Sequence, residues 1–173
     1  LLPGVAGMAL VLVPWALGMA LIAPMLHLAR RRYHQDRRTA DAATMADRWE
    51  RRLTVSAGLY GLAWSLPPLL SLQGSSLVFT LIFYMVLQGV CIGASAHLSA
   101  IFPAFVAMMA GVWVPALIAM PAFFPEQWVF LLPMFLLFTA VITRHGWGMY
   151  RFMLRQLVAE EQGRELAQRY KGA

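Results

Sequence analysis

At 173 residues the chain is 60% hydrophobic and only 13% charged, whereas a soluble domain carries about 25% charged and about 45–50% apolar residues. A water-soluble fold of this size has nowhere to bury so much apolar surface, so composition excludes a soluble globular domain and points to a membrane. The net charge of +6 does not indicate nucleic acid: all 14 Lys and Arg fall in two blocks, Arg30–Arg52 and Arg144–Lys171, that flank apolar stretches instead of lining a folded basic face.

A membrane helix needs about 20 apolar residues to cross a hydrocarbon core roughly 30 Å thick. Taken in chain order, five segments satisfy this: about 5–28, 53–72, 77–96, 101–123 and 128–145. The fold class expected is therefore all-α, a polytopic transmembrane bundle at 1–148. A cytoplasmic helical linker is expected at 149–173. The breaks carry turn chemistry: Gln73-Gly74-Ser75-Ser76 and Phe124-Pro125-Glu126-Gln127 are polar turns, and Trp128 suits an interfacial anchor. His97-Leu98-Ser99 before Pro103 marks a further break, because the run between the two polar turns is too long for one crossing.

The basic loop at 29–52 reads as helical in its second half, from Thr39 to Arg52, and runs straight into the second span. Lys and Arg mark the cytoplasmic side of short loops. With five spans, the 29–52 loop and the tail lie together on that side, and the two turns lacking Lys and Arg lie opposite. Arg30, Arg31, Arg32, Arg48, Arg51 and Arg52 form a cluster suited to anionic headgroups, worth about 1 kcal/mol per basic residue near the surface. The chain begins without Met, inside an apolar run, and reads as an excerpt of a longer protein; one more upstream helix would make six spans.

Between Leu53 and Thr143 the only charged residue is Glu126. That excludes a relay of buried carboxylates and disfavours an ion-coupled transporter, which places ionisable groups near midplane. No phosphate loop, His-Glu-x-x-His or nucleophile elbow occurs. His27, His97 and His145 fit no metal-ligand spacing, so no metal or cofactor is expected. His97 with Ser95 and Ser99 is the one cluster resembling catalytic groups, and it lacks an acidic orienter. Cys91, the single cysteine, reads as a small apolar residue. Trp64, Tyr84, Gln88 and Trp113 are candidates for a ligand pocket or for core packing. Gly89 and Gly93 form a Gly-x-x-x-Gly pair, expected to pack on another helix of the same chain or, alternatively, on a second copy. Prolines are frequent within the spans, and each frees a backbone carbonyl that a neighbouring helix, hydroxyl or water must satisfy. The first reading is that proline is simply tolerated in membrane helices; the alternative is that Pro67-Pro68 and Pro115/Pro121 kink helices around a cavity or a movable joint.

From Phe152 the tail places Phe152, Gln156, Ala159, Gly163, Leu166 and Tyr170 at 4-3-4-3-4 spacing, a weak heptad seam. It reads either as a helix on the membrane surface or, preferably, as a parallel coiled coil leading away from the membrane.

The basic loop ending in "RWERRL", followed by "GLYGLAWSLPPLL", resembles the membrane-embedded input region of some bacterial sensor histidine kinases, often hybrid, and of some diguanylate cyclases. "HLSAIFPAFVAMMAGVWVPALIAM" resembles its next helix pair, and "MYRFMLRQLVAEEQGREL" the linker into an output domain. Ser65 stands where that pattern has Gly. The resemblance implies a non-enzymatic signal-input module of the bacterial inner membrane, with its C-terminus cytoplasmic. The partners it implies are the lipid bilayer, a second copy in a homodimer, and the protein's own downstream output domain, a kinase or cyclase. The alternative is a small transporter, or a subunit of one, with Trp64, Gln88 and Trp113 along its path.

Overall fold

The computed structural model describes residues 13, 16, 42–71 and 76–171. Four helices make up its two continuous stretches: α1 (Ala42–Ser71), α2 (Leu77–Leu98), α3 (Phe102–Phe123) and α4 (Trp128–Lys171). The described chain is helical, as composition and spacing require. Three of these helices are long and apolar enough to cross a membrane: α2, α3 and the Trp128–Arg164 part of α4. Of the expected span at 5–28 only residues 13 and 16 are described, and Arg30, Arg31 and Arg32 lie outside the described residues.

The boundaries follow local chemistry. α1 joins the second half of the basic loop to the following apolar run in one helix, because Ala42–Leu53 contains good helix formers and no Gly or Pro. Ser76 caps α2, its hydroxyl accepting the Phe79 N–H at 3.3 Å. α2 ends at Leu98 and α3 starts at Phe102, with Pro103 in the first turn, where its missing N–H costs nothing. The break expected near His97 is thus a true turn between two helices. At the other end of α3 the Phe124 N–H returns to the Met120 carbonyl at 2.9 Å before the turn into α4.

α3 is the centre of the bundle and packs against all three other helices, most extensively against α1. Glycine makes the α1–α3 approach possible. A methyl group on Gly61 would overlap the Met108 carbonyl oxygen and come within 3.1 Å of Gly111 Cα and Val112 N. One on Gly111 would overlap the Gly58 carbonyl and sit 2.9 Å from Leu62 N. The two helices therefore meet backbone on backbone, the close approach that small residues allow where lipid leaves no hydrophobic drive between helices.

Among the described residues, Gly89 and Gly93 pack against no other helix. Both are exposed, with nothing within 4 Å of where a side chain would be. They lie on the outward side of α2, together with Ile82, Met85, Val86 and Ile92. The glycines that pack sit at three-residue spacing on α1, Gly58 and Gly61, and oppose Gly111.

α4 touches the bundle along one stripe. Phe135 and Gly146 are its buried residues, and Leu131, Leu132, Phe138 and Ile142 are half-buried between and beside them. The helix continues through residue 148 without interruption, so the boundary drawn there from composition is no break in the backbone. From Leu154 to Arg164 every residue is exposed.

Candidate functional site

Two arrangements stand out, one around Pro115 and one where α4 leaves the bundle. Pro115 lies inside α3 and has no N–H for the carbonyl four residues earlier, that of Gly111. The Ser65 hydroxyl, fully buried on α1, donates to that carbonyl at 3.0 Å. Its own helix offers a second acceptor, the Leu62 carbonyl, at 3.4 Å. Ser65, the residue departing from the Gly of the resembled pattern, thus satisfies the group that Pro115 leaves open, in surroundings with no water to do so. On the far side of the proline, the Tyr84 hydroxyl of α2 donates to the Ala116 carbonyl at 2.6 Å. α3 is therefore held on both sides of Pro115 by hydroxyls from two different helices.

The ring of Tyr84 belongs to an aromatic layer. It meets Phe124 edge-on at 5.3 Å and Phe135 of α4 at 5.5 Å, and Trp113 meets Phe135 at 5.3 Å. Tyr84 and Trp113 are 0% and 2% exposed, with buried Cys91 in the same core cluster. Of the two readings given for Trp64, Tyr84, Gln88 and Trp113, Tyr84 and Trp113 take the packing one. Trp64 is half-buried, edge-on to Tyr60 at 6.2 Å, and Gln88 is half-buried on α2. The groove described on the protein lies elsewhere, on the outer side of α2 along Val78, Ile82 and Met85.

The second arrangement joins the α2–α3 turn to α4. The Phe105 ring lies against Gly146, where a methyl group would be 2.5 Å from ring atom Cε1 and 3.0 Å from Cδ1 and Cζ. Beside it Phe102 packs edge-on to Trp147 at 4.8 Å and reaches Tyr150 at 5.9 Å. This junction is the last firm contact of α4 before its exposed part. Sequence reading passed over Phe102, Phe105, Gly146, Trp147 and Tyr150; the available signal was a run of aromatics around Gly146 at the start of the basic tail.

The histidine–serine cluster does not converge. Ser95 and Ser99 are buried, with the Ser95 hydroxyl donating to Ile92 O at 2.7 Å, whereas His97 is exposed. Among the described residues no group of three or more His, Cys, Asp or Glu could hold a metal. Arg48, Arg51 and Arg52 are exposed at the start of α1, and the Arg52 guanidinium lies 5.6 Å from the ring centre of buried Trp49. Compared with known protein families, curated proteins and solved structures, the chain matches none.

Proposed function

We propose that this chain is a membrane signal-input module that passes a conformational change through α4 to a cytoplasmic output domain, a kinase or cyclase, downstream of Ala173. In this reading the bundle has five spans: α1 from about Leu53, α2, α3, the first part of α4, and the apolar segment at 5–28. The basic loop and the tail face the cytoplasm of a bacterial inner membrane, with Arg48, Arg51 and Arg52 among anionic headgroups.

The observation that carries the reading is the length of α4. Its 44 residues extend ~66 Å at ~1.5 Å per residue, about twice the ~30 Å hydrocarbon core. One continuous helix, with Pro133 in its second turn, therefore begins beside the aromatic layer, passes the Phe105–Gly146 contact and ends well outside the bundle. A second copy is the favoured partner for the exposed part. With Phe152, Gln156, Ala159, Gly163 and Tyr170 on the seam, Arg155 and Glu160 take flanking positions that face each other between parallel helices. The transporter reading gains nothing from Tyr84 and Trp113, which are locked in a packed aromatic layer.

The test is the parent gene and its product. Sequence encoding a kinase or cyclase domain continuous with α4 is expected after Ala173; a stop codon or an unrelated domain there overturns the reading. Uptake of a solute by the purified chain in proteoliposomes would favour the transporter instead.

A further inference from the structure

We infer that Pro115 is a hinge in α3, and that the Ser65 hydroxyl sets its position by exchanging between the Gly111 and Leu62 carbonyls. Three observations support this. Pro115 leaves the Gly111 carbonyl without its helical partner, so the α3 backbone lacks a hydrogen bond there, in the middle of the helix, as it does again at Pro121 near the helix end. Ser65, which holds that carbonyl at 3.0 Å, has the Leu62 carbonyl of its own helix at 3.4 Å, so its proton keeps an acceptor when α3 moves away. The parts of α3 on either side of Pro115 are also tied to different elements. The Phe102–Val114 part is pinned to α1 by the Gly58–Gly61–Gly111 contact and to α4 by Phe105 on Gly146. The Pro115–Phe123 part is tied to α2 by Tyr84 on Ala116, and Phe124 beyond it packs on Tyr84.

The moving part is therefore the Ala116–Phe123 end, swinging with α2, Tyr84 and Phe124 against a fixed α1–α3 seam. Proline kinks exceed ~20°, and across the ~12 Å of helix from Pro115 to Phe123 such a bend displaces the end by ~4 Å. Phe135 of α4 lies between Tyr84 of the moving part and Trp113 of the pinned part, so a swing of Tyr84 against Trp113 acts on α4 above its fixed point at Gly146. This use of the hinge as a relay rests on the signalling reading; the hinge itself does not.

Distances between nitroxide labels in the whole chain in liposomes, with Cys91→Ala as background, test it. One pair, Leu70 and Ala122, both exposed, reports the swinging end of α3 against α1; the other, Val55 and Val106, also exposed, reports the pinned part. Ser65→Ala is expected to broaden or displace the Leu70–Ala122 distribution by ~4 Å, leaving Val55–Val106 unchanged. Pro115→Ala restores the N–H, so it narrows the first distribution and abolishes the effect of adding Ser65→Ala. The hinge is overturned by a Leu70–Ala122 distribution unmoved by Ser65→Ala, by equal movement of both pairs, or by a Ser65→Ala effect undiminished in Pro115→Ala. Movement with no change in output of the full-length protein retains the hinge and rejects the signalling role.

Discussion

Replacing Gly61 by alanine tests the packing reading most directly. The added methyl would overlap the Met108 carbonyl oxygen and lie 3.1 Å from Gly111 Cα and Val112 N. These are backbone atoms of a helix and cannot rotate aside. Ordinary carbon contacts are ~3.5–4.0 Å, so α1 and α3 must separate by roughly 0.5–1 Å, which forfeits a quarter to a half of a well of ~0.1–0.2 kcal/mol per atom pair. Over ~40 pairs, the number a single buried leucine makes, the loss is about 1–4 kcal/mol. Stretching the Ser65–Gly111 bond adds about 0.6 kcal/mol, the average for hydrogen bonds between membrane helices. Gly89→Ala is the matched control: its methyl enters open space, and alanine's helix preference makes it neutral or stabilising by up to ~1 kcal/mol. Unfolding in mixed detergent–SDS micelles, followed by the tryptophan fluorescence, measures both. A Gly61→Ala protein as stable as Gly89→Ala would refute the backbone-on-backbone seam.

Further outcomes are expected elsewhere. Tyr84→Phe keeps the ring and removes the bond to the Ala116 carbonyl, costing about 0.5–1.5 kcal/mol in the same titration; a loss above ~3 kcal/mol would mean the ring itself had been displaced. Phe105→Ala removes the ring lying on Gly146 and should destabilise by about 3–5 kcal/mol, while Gly148→Ala, which meets nothing, should be silent. Single cysteines from Phe152 to Tyr170 should crosslink in membranes with maxima at 152, 156, 159, 163, 166 and 170. Glu160→Arg should weaken that crosslinking and Arg155→Glu with Glu160→Arg restore it; a flat profile would assign the tail to the membrane surface. Changing Arg48, Arg51 and Arg52 together to Ser should redistribute topology reporters fused after Gly74, and an unaltered reporter pattern would remove these residues from the orientation signal.

Much of the fold was legible because it rests on one-dimensional physics. The turn at 124–127, the cap of α2 at Ser76, the break after His97 and the continuity of the basic segment with α1 follow from local apolarity, capping and proline geometry, which neighbouring residues carry in themselves; Gln73, Gly74 and Ser75 lie outside the described residues. The site was less legible. A proline announces a freed carbonyl, but only the α1–α3 approach shows that Ser65, forty-six positions from Gly111, is the hydroxyl that meets it. A Gly-x-x-x-Gly pair announces a smooth helix face, but not whether anything lies against it. Among the described residues Gly89 and Gly93 have the motif and no neighbour, whereas Gly58 and Gly61 lack the four-residue spacing and sit where α1 and α3 meet backbone on backbone.

The sequence by itself therefore determined the all-helical class with helices apolar enough to span a membrane, the breaks between α2, α3 and α4, and the division between basic flanks and an interior free of Lys and Arg. Charge and apolarity act on a helix through its solvent, one segment at a time. Only the tertiary structure decided that α3 is the centre, that glycines on α1 and α3 bring backbones together, and that α4 is held at Phe135 and Gly146 before running free. In a lipid-like setting all faces are apolar, so hydrophobicity does not choose partners. Close packing and a few buried hydroxyl–carbonyl bonds do, and these depend on shape in three dimensions.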